Sequence, residues 1–338
     1  MNILIITPYK NYFGGVEIVN KELENIFTQE GHCVDYLTTD KKLKLNILQK
    51  VLFRIIGLPY ITSLKFKKLS KKYDIIICNG EFSFGIKHPK CINVFHGSYK
   101  GYREYLSKEL NWREKLSLMK LSYIQKLGSN GKIVIAVSDF IAKILKKQGI
   151  KVFKVIENGV DVNKFKPLNI EKVNEYIFVG GYRNNGYSKG FDVLEKIAQS
   201  DYKINCVTTR DPKGLLGYIG GNIENDLLPE IYNKHKMLIF PSRFEACSIV
   251  TVEAMACGLP IVISKVGIGE KLKNEIEEFV VETWNSEDYI KKIEKINKNY
   301  KYYSKLARDY AVKNYSKIKF KKNWLNLLEE INENKLED

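Results

Sequence analysis

Apolar and polar positions along this chain alternate between two periods. "NILIIT", Asn2 to Thr7, is an unbroken apolar run of strand length, suited to a strand buried on both faces. "GVEIVNKELENIFTQEG" then puts Val16, Val19, Leu23 and Ile26 on one side at helical spacing, with Gly31 as a stop. "CVDYLTT", "DIIICN", "CINVFHG" and "KIVIAVS" read as further strands. The helix after the last of them starts at Ser138 or Asp139, either a good N-cap, and ends near Gly149. The pattern restarts at "EYIFVGG" and runs through "FDVLEKIAQ", "KINCVTT", "LLPEIYNKH", "KMLIFP", a helix around Glu253, and "PIVIS". Two such series predict an α/β chain with two doubly wound parallel-sheet domains. Asn, Gly, Asp and Pro interrupt both periods in "ENGVDVNKFKP", Glu157 to Pro167. The expected domains are therefore residues 1–165 and 166–315, followed by a last helix in 316–338 with Trp324, Leu327, Leu328 and Ile331 on one side.

Length and composition support this division. A chain of 338 residues that is 44% apolar can fill two ordinary cores. The six cysteines form no CxxC pair and have no histidines at ligand spacing, which points to reduced thiols, with neither a zinc site nor a disulfide framework. The first residues are too short an apolar run for a signal peptide, and no segment approaches the length of a membrane span. A cytoplasmic protein is expected, at most peripheral on a membrane.

Charge is unevenly spread. Of the net +16, residues 1–166 carry +15 and the remainder +1. Lys41 to Lys72 holds ten basic residues, no acidic ones, and leucine, isoleucine and phenylalanine between them. Such a segment suits the surface of an anionic bilayer, and equally a solvated helical face.

Two loops lie where open parallel sheets bind ligands, beyond a strand's carboxyl end and before a helix N-terminus. The first holds Gly14 and Gly15, which let backbone approach a ligand or simply make a tight turn; no G-x-G-x-x-G follows the first strand. The second is "FPSRFEACSIVTVEAMACGLPIVIS", with Glu245 in the turn and Glu253 eight positions on, inside the helix. In that arrangement Glu253 can accept two hydrogen bonds from vicinal hydroxyls, as on a ribose. Glu245 can reach the reacting group, and the backbone N–H groups of Cys247, Ser248 and Ile249 can face a phosphate. An isolated pair of this kind is otherwise a helix cap and a surface acid.

The stretch "PSRFEACSIVTVEAMACGLPIV" resembles the E-x7-E signature of retaining glycosyltransferases of family four. "GGVE", "VFHG", "AVSDF", "ENGVDVNKFKP" and "FVGGYRNNGYSKGFDVL" match in the expected order across most of the chain. The resemblance implies the GT-B fold, two Rossmann-like domains facing a central cleft, with a last helix that crosses back to the first domain. It assigns Glu253 to the donor ribose and Glu245 to the sugar hydroxyls near the anomeric carbon. It places Gly14 and Gly15 against the diphosphate, makes Arg183 and Lys189 its counter-charges, and puts His96 on the transferred sugar. The chain departs from the family where E-G-F-G reads Glu245-Ala246-Cys247-Ser248 and where Gly181 takes the usual arginine place, leaving Arg183 to substitute from two residues downstream.

The implied reaction is metal-independent transfer of a sugar, with retention, from a nucleotide-diphosphate sugar to a glycan or lipid-linked glycan in cell-surface polysaccharide or glycoconjugate synthesis. The nucleotide sugar is a substrate, so no cofactor is expected. No Asp-x-Asp pair or acid cluster suggests a metal. The basic first half suits anionic acceptors at a membrane surface. Two other readings compete: a nucleotide-sugar epimerase of the same architecture, and a nucleic-acid-binding protein using the basic half with Phe95, Tyr99, Tyr102 and Tyr105. The second lacks any nucleic-acid motif and leaves the glutamate pair unexplained, so no nucleic-acid partner is expected.

Overall fold

Unbroken apolar runs become inner strands buried on both faces, as in Ile75–Asn79 and Cys91–Phe95, where every residue is buried. In the computed structural model, which describes residues 1–10, 14–39, 44–182, 184–220 and 223–333, the chain divides into two units. One comprises residues 1–157 together with 321 onward; the other comprises residues 158–320.

The first unit carries strands β1 (Asn2–Ile6), β2 (Cys33–Leu37), β3 (Ile75–Asn79), β4 (Cys91–Phe95), β5 (Ile133–Ala136) and β6 (Lys154–Val155). All pair in parallel, in the order β2-β1-β3-β4-β5-β6. Ile3 faces Val34 on one side and Ile75 on the other, and Ile3, Ile5, Ile75, Ile77, Ile92 and Ile135 are wholly buried. The chain runs outward from β1 to β2 and then returns across β1 to β3. That reversal leaves a gap at the carboxyl ends of β1 and β3, where parallel sheets take ligands. Polar side chains line it: Asn79 donates to the Ile6 carbonyl at 3.2 Å and to Asn20 Oδ1 at 3.3 Å, and Asn20 donates to Thr7 Oγ1 at 3.3 Å.

The second unit repeats the plan with β7 (Tyr176–Val179), β8 (Ile204–Val207), β9 (Gly217–Gly220), β10 (Met237–Phe240), β11 (Ile261–Ser264) and β12 (Val280–Val281). Their order is β12-β11-β10-β7-β8-β9, so the switch point lies between β7 and β10. Residues after Glu157 belong here through backbone pairing. Val160 N donates to the Tyr315 carbonyl at 2.7 Å, and Lys317 N donates back to the Val160 carbonyl at 3.0 Å. Arg308 adds bonds to the carbonyls of Phe165 and Val162 at 2.7 and 3.0 Å.

The last helix, Lys317–Asn332, belongs to the first unit from Lys321 on. Its apolar side, spaced as the sequence suggests, is buried at Trp324, Leu327, Leu328 and Ile331. Trp324 packs edge-on against Phe27, ring centroids 6.2 Å apart. Lys321 pairs with Glu30 at 2.7 Å, and Glu330 takes both contacts of Lys154 at 2.5 and 2.7 Å. All six cysteines are free thiols. Among the described residues no helix is long and apolar enough to cross a membrane.

Candidate active site

At the switch point of the second unit two loops meet, one following β7 and one following β10. The β7 loop ends in the 3-10 turn Asn184–Lys189 and then Gly190, the N-cap of the helix Phe191–Ala198. Gly190 is left-handed at φ 76°, and a Cβ there would lie 2.1 Å from the carbonyl oxygen of Pro241 in the other loop. Only glycine permits both the conformation and the approach. Backbone bonds hold the contact, with Arg243 N donating to the Ser188 carbonyl at 2.9 Å and Ser242 Oγ to the same oxygen at 3.1 Å.

Arg243 fastens the two loops. Its guanidinium donates to both oxygens of Asp192 at 2.7 Å, donates to the Tyr187 carbonyl at 2.7 Å, and stacks on the Tyr187 ring 3.7 Å from its centroid. The planar fork matches a carboxylate in a way lysine cannot. Arg243 is only 6% exposed, so these bonds compensate a buried charge. The clamp brings Lys189 to Glu245: Lys189 Nζ donates to Glu245 Oε1, which also accepts from Ser242 Oγ at 3.0 Å. Thus the structure joins two of the residues singled out from sequence through a third, Arg243, which sequence reasoning passed over. Its only signal was its place in "PSRFE", two residues before Glu245.

Glu245 borders a small pocket whose lining includes Phe240, Ser248, Thr251, Ser264 and Val266. Ser248 is the N-cap of the helix Ile249–Ala256, and its side chain caps no backbone group. The start of that helix therefore opens toward the pocket with the amide dipoles that suit an anion. The side chains of Cys247 and Ile249 pack on the core of the unit, so only their backbone groups suit ligand contact.

Glu253 lies one turn deeper in the same helix and is 5% exposed. Tyr232, itself fully buried, donates its hydroxyl to Glu253 Oε2 at 3.1 Å. Burial pushes the Glu253 carboxyl up to about 7, against the opposing pull of its hydrogen bonds from Tyr232 and Asn225. Tyr232 on the helix Leu228–Lys234 is a second site neighbour the sequence did not single out, since its periodicity there marks only a core position.

In the first unit, Gly14 is the N-cap of the helix Gly15–Gln29 with extended backbone at φ −135°, and among the described residues a Cβ on Gly15 would meet nothing within 4 Å. Among the described residues neither crowding nor a left-handed turn requires glycine at position 15. His96 follows β4, and among the described residues its buried Nε2 has no hydrogen-bond partner. Burial alone lowers its pKa to about 4, so the ring is neutral near pH 7 with one nitrogen uncommitted. Arg183 lies outside the described residues.

Comparison with known proteins agrees with both units. Residues 13–164 match the model of Glycosyltransferase Family 4, and residues 174–299 match that of Glycosyl transferases group 1. A 41.2 kDa protein of the cps region of Klebsiella pneumoniae is 24% identical over 302 residues, covering 79% of this chain and 81% of that protein. Among solved structures, sucrose-phosphate synthase from Thermosynechococcus elongatus superposes with a TM-score of 0.76 at 16% identity, covering 98% of each chain. Anabaena HepE in complex with UDP and glucose superposes at 0.67, also at 16% identity, covering 98% of this chain and 100% of that one. With a glycosyltransferase model matched in each half and a fold shared with GT-B enzymes, the chain is a GT-B-type glycosyltransferase whose first half is similar to family four.

Proposed function

We propose that the second unit holds a nucleotide-diphosphate sugar and that the enzyme transfers the sugar, with retention, to a hydroxyl of a glycan or lipid-linked glycan. The observation that carries this reading is the Lys189–Glu245 pair, set by the Arg243 clamp at the switch point beside the open start of the helix Ile249–Ala256. In the bound state Lys189 and the amides of Cys247, Ser248 and Ile249 meet the diphosphate. Glu245 holds hydroxyls of the sugar, and Glu253 accepts from the ribose once its bond from Tyr232 yields. Charge grows on the diphosphate as the glycosidic bond breaks, and a fixed cation in a dry pocket stabilises it without reorganisation. The sugar passes through an oxocarbenium-like state. The acceptor oxygen attacks from the face the diphosphate leaves, and its proton goes to the departing phosphate oxygen.

Neither glutamate is set up as a hydrolase-type acid or nucleophile. Glu253 is enclosed with Tyr232, and Glu245 is engaged by Lys189 and Ser242. Neutral His96, its Nε2 unpartnered among the described residues, suits a sugar hydroxyl as donor or acceptor. Transfer proceeds without a resident divalent ion, the counter-charge being Lys189 with Arg183. The HepE complex with UDP and glucose supports a uridine donor as the first to try, and the relative in the cps region supports cell-surface polysaccharide synthesis. The cation excess of the first half supports an anionic acceptor presented at the inner face of the cell membrane.

Thermal melting with UDP, GDP, ADP and their sugars tests the donor site. A bound ligand at a hundred times its Kd stabilises by about 2.7 kcal/mol. One nucleotide series should raise the melting temperature, in EDTA as in Mg²⁺, and NMR of the product should show the donor's anomeric configuration. No response to any nucleotide, full dependence on Mg²⁺, or inversion would each count against the reading.

A further inference from the structure

The helix Trp112–Ser129 in the first unit is built inside out. Its packed side consists of Ser122, Ile124, Gln125, Gly128 and Ser129. Three of these are polar, and the protein satisfies them: Gln148 donates to the Ser122 carbonyl and hydroxyl at 2.6 and 2.9 Å, Gln125 accepts from Tyr99 N at 3.2 Å, and Ser129 donates to the Gln125 carbonyl at 2.7 Å. A Cβ on Gly128 would lie 2.6 Å from Ser83 Oγ, so the contact is as close as glycine allows. The opposite side carries Trp112, Leu116, Met119, Tyr123 and Leu127, recurring every three or four residues in one stripe. These side chains stand in solvent, Trp112 at 66%, Leu116 and Met119 at 51% and Tyr123 at 62% exposure. Residues 111–117 are exposed on every side, so the first two turns project from the unit.

Charge frames the stripe. At 100° per residue, Arg113 and Lys120 fall along one border and Lys115 and Lys126 along the other, all four exposed. The one acid of the helix, Glu114, falls on the far side and completes the capping box with Asn111. A second copy of the helix laid on this face, parallel or antiparallel, would set cations against cations along both seams. An apolar strip between two cationic borders, with a tryptophan at one end and a tyrosine farther along, instead matches the interface of an anionic bilayer. There the rings and alkyl groups enter the headgroup region and the cations meet phosphates.

We propose that this face of the Trp112–Ser129 helix seats the enzyme on an anionic phospholipid bilayer. The proposal extends the membrane-side acceptor reading by naming the contact surface, and it concerns lipid binding with no donor present. The lysine-rich segment ahead of it offers a different candidate, the helix Ile47–Ile56, with Ile47, Leu48, Val51 and Ile55 exposed beside Lys50 and Arg54. The experiment therefore has to separate the two.

The full chain is sedimented with phosphatidylglycerol–phosphatidylcholine vesicles and with phosphatidylcholine alone, in low and high salt. Binding should require the anionic lipid and fall with salt. Leu116→Glu with Met119→Glu should remove it by at least about tenfold, and Lys115→Ser or Lys120→Ser should each lower it about fivefold. Ile47→Glu with Leu48→Glu should leave most of it. Tryptophan emission should shift to the blue on anionic vesicles, and Trp112→Phe should abolish the shift. Because the replaced side chains are exposed, melting temperature and nucleotide-induced stabilisation should match the parent, which separates failure of this proposal from failure of the transferase reading. Wild-type indifference to anionic vesicles, equal binding to neutral ones, or loss with the Ile47/Leu48 pair but not the Leu116/Met119 pair would each overturn it. So would a dimer split by the Leu116/Met119 pair in a chain that ignores vesicles.

Discussion

Arg243 and Asp192, fifty-one residues apart, are joined by two parallel hydrogen bonds of 2.7 Å that close the loop after β10 onto the helix after β7. The pair sets the spacing of the two segments that carry Lys189 and Glu245. Asp192 is 44% exposed, so the pair is worth less than a fully buried one. Arg243→Lys, which keeps the charge and loses the fork, should cost about 1–2 kcal/mol in urea unfolding. Nucleotide-induced stabilisation should fall as well. Asp192→Asn should give a similar loss, and the double variant should add little to either single change. Additive effects would mean that the two residues act independently.

Glu253 links stability to pH. Its carboxyl is held at about 7 in the folded protein, against an ordinary value of 4.5, because burial disfavours the charged form. The native state therefore binds more protons than the unfolded chain between these values, and stability falls as pH rises through that window. Glu253→Gln should raise stability by about 1–3 kcal/mol at pH 8 and leave it unchanged at or below pH 4.5, while nucleotide binding weakens. Denaturant titrations at the two pH values make the comparison. A gain of equal size at both would show that burial of the charge is not its source.

Gly190 tests the loop contact by shape alone. A methyl group there meets the Pro241 carbonyl at 2.1 Å, in a backbone conformation that L-residues avoid. Gly190→Ala should destabilise by about 3 kcal/mol or more, or else open the loop and expose the Asn184–Lys189 turn to proteases. Unchanged stability with unchanged proteolysis would contradict the described contact. Gly15→Ala is the counterpart: with no described atom within 4 Å of the added methyl group, the fold should tolerate it, and any loss should appear in donor binding.

Lys189→Met removes the cation while keeping the length of the side chain. If Lys189 meets charge developing on the leaving diphosphate, kcat should drop by about 10²–10³ with a smaller change in KM. A change confined to KM would make it a ground-state binding residue only.

Trp324 anchors the last helix to the first unit through Phe27. Trp324→Ala should cost about 3–5 kcal/mol, as expected for a large buried aromatic. Lys321→Ala, which breaks a partly exposed pair with Glu30, should cost under about 1 kcal/mol. Similar costs for the two would mean that the helix is held by charge and not by packing.

The alternation of apolar runs and helical stripes was sufficient to predict two parallel α/β units, because strands covered on both faces must be apolar throughout and surface helices must be apolar on one side. It did not reveal β6 and β12, which have two residues each and so no period, or the edge strand β9, where Gly217–Gly220 is partly exposed. The residue types of the candidate site were also visible, as glutamates, glycines and a lysine at strand ends. Their partners were decided only by tertiary structure. Lys189 meets Glu245 across 56 positions, and Arg243 meets Asp192 across 51, because β10 pairs directly beside β7 and brings together loops that local pattern treats as unrelated. The raised carboxyl of Glu253 has the same origin: acidity depends on what encloses a group, and its enclosure comes from Tyr232 on another helix. Periodicity is a local property of the chain, whereas burial and pairing are set by which distant segments the sheet order makes neighbours.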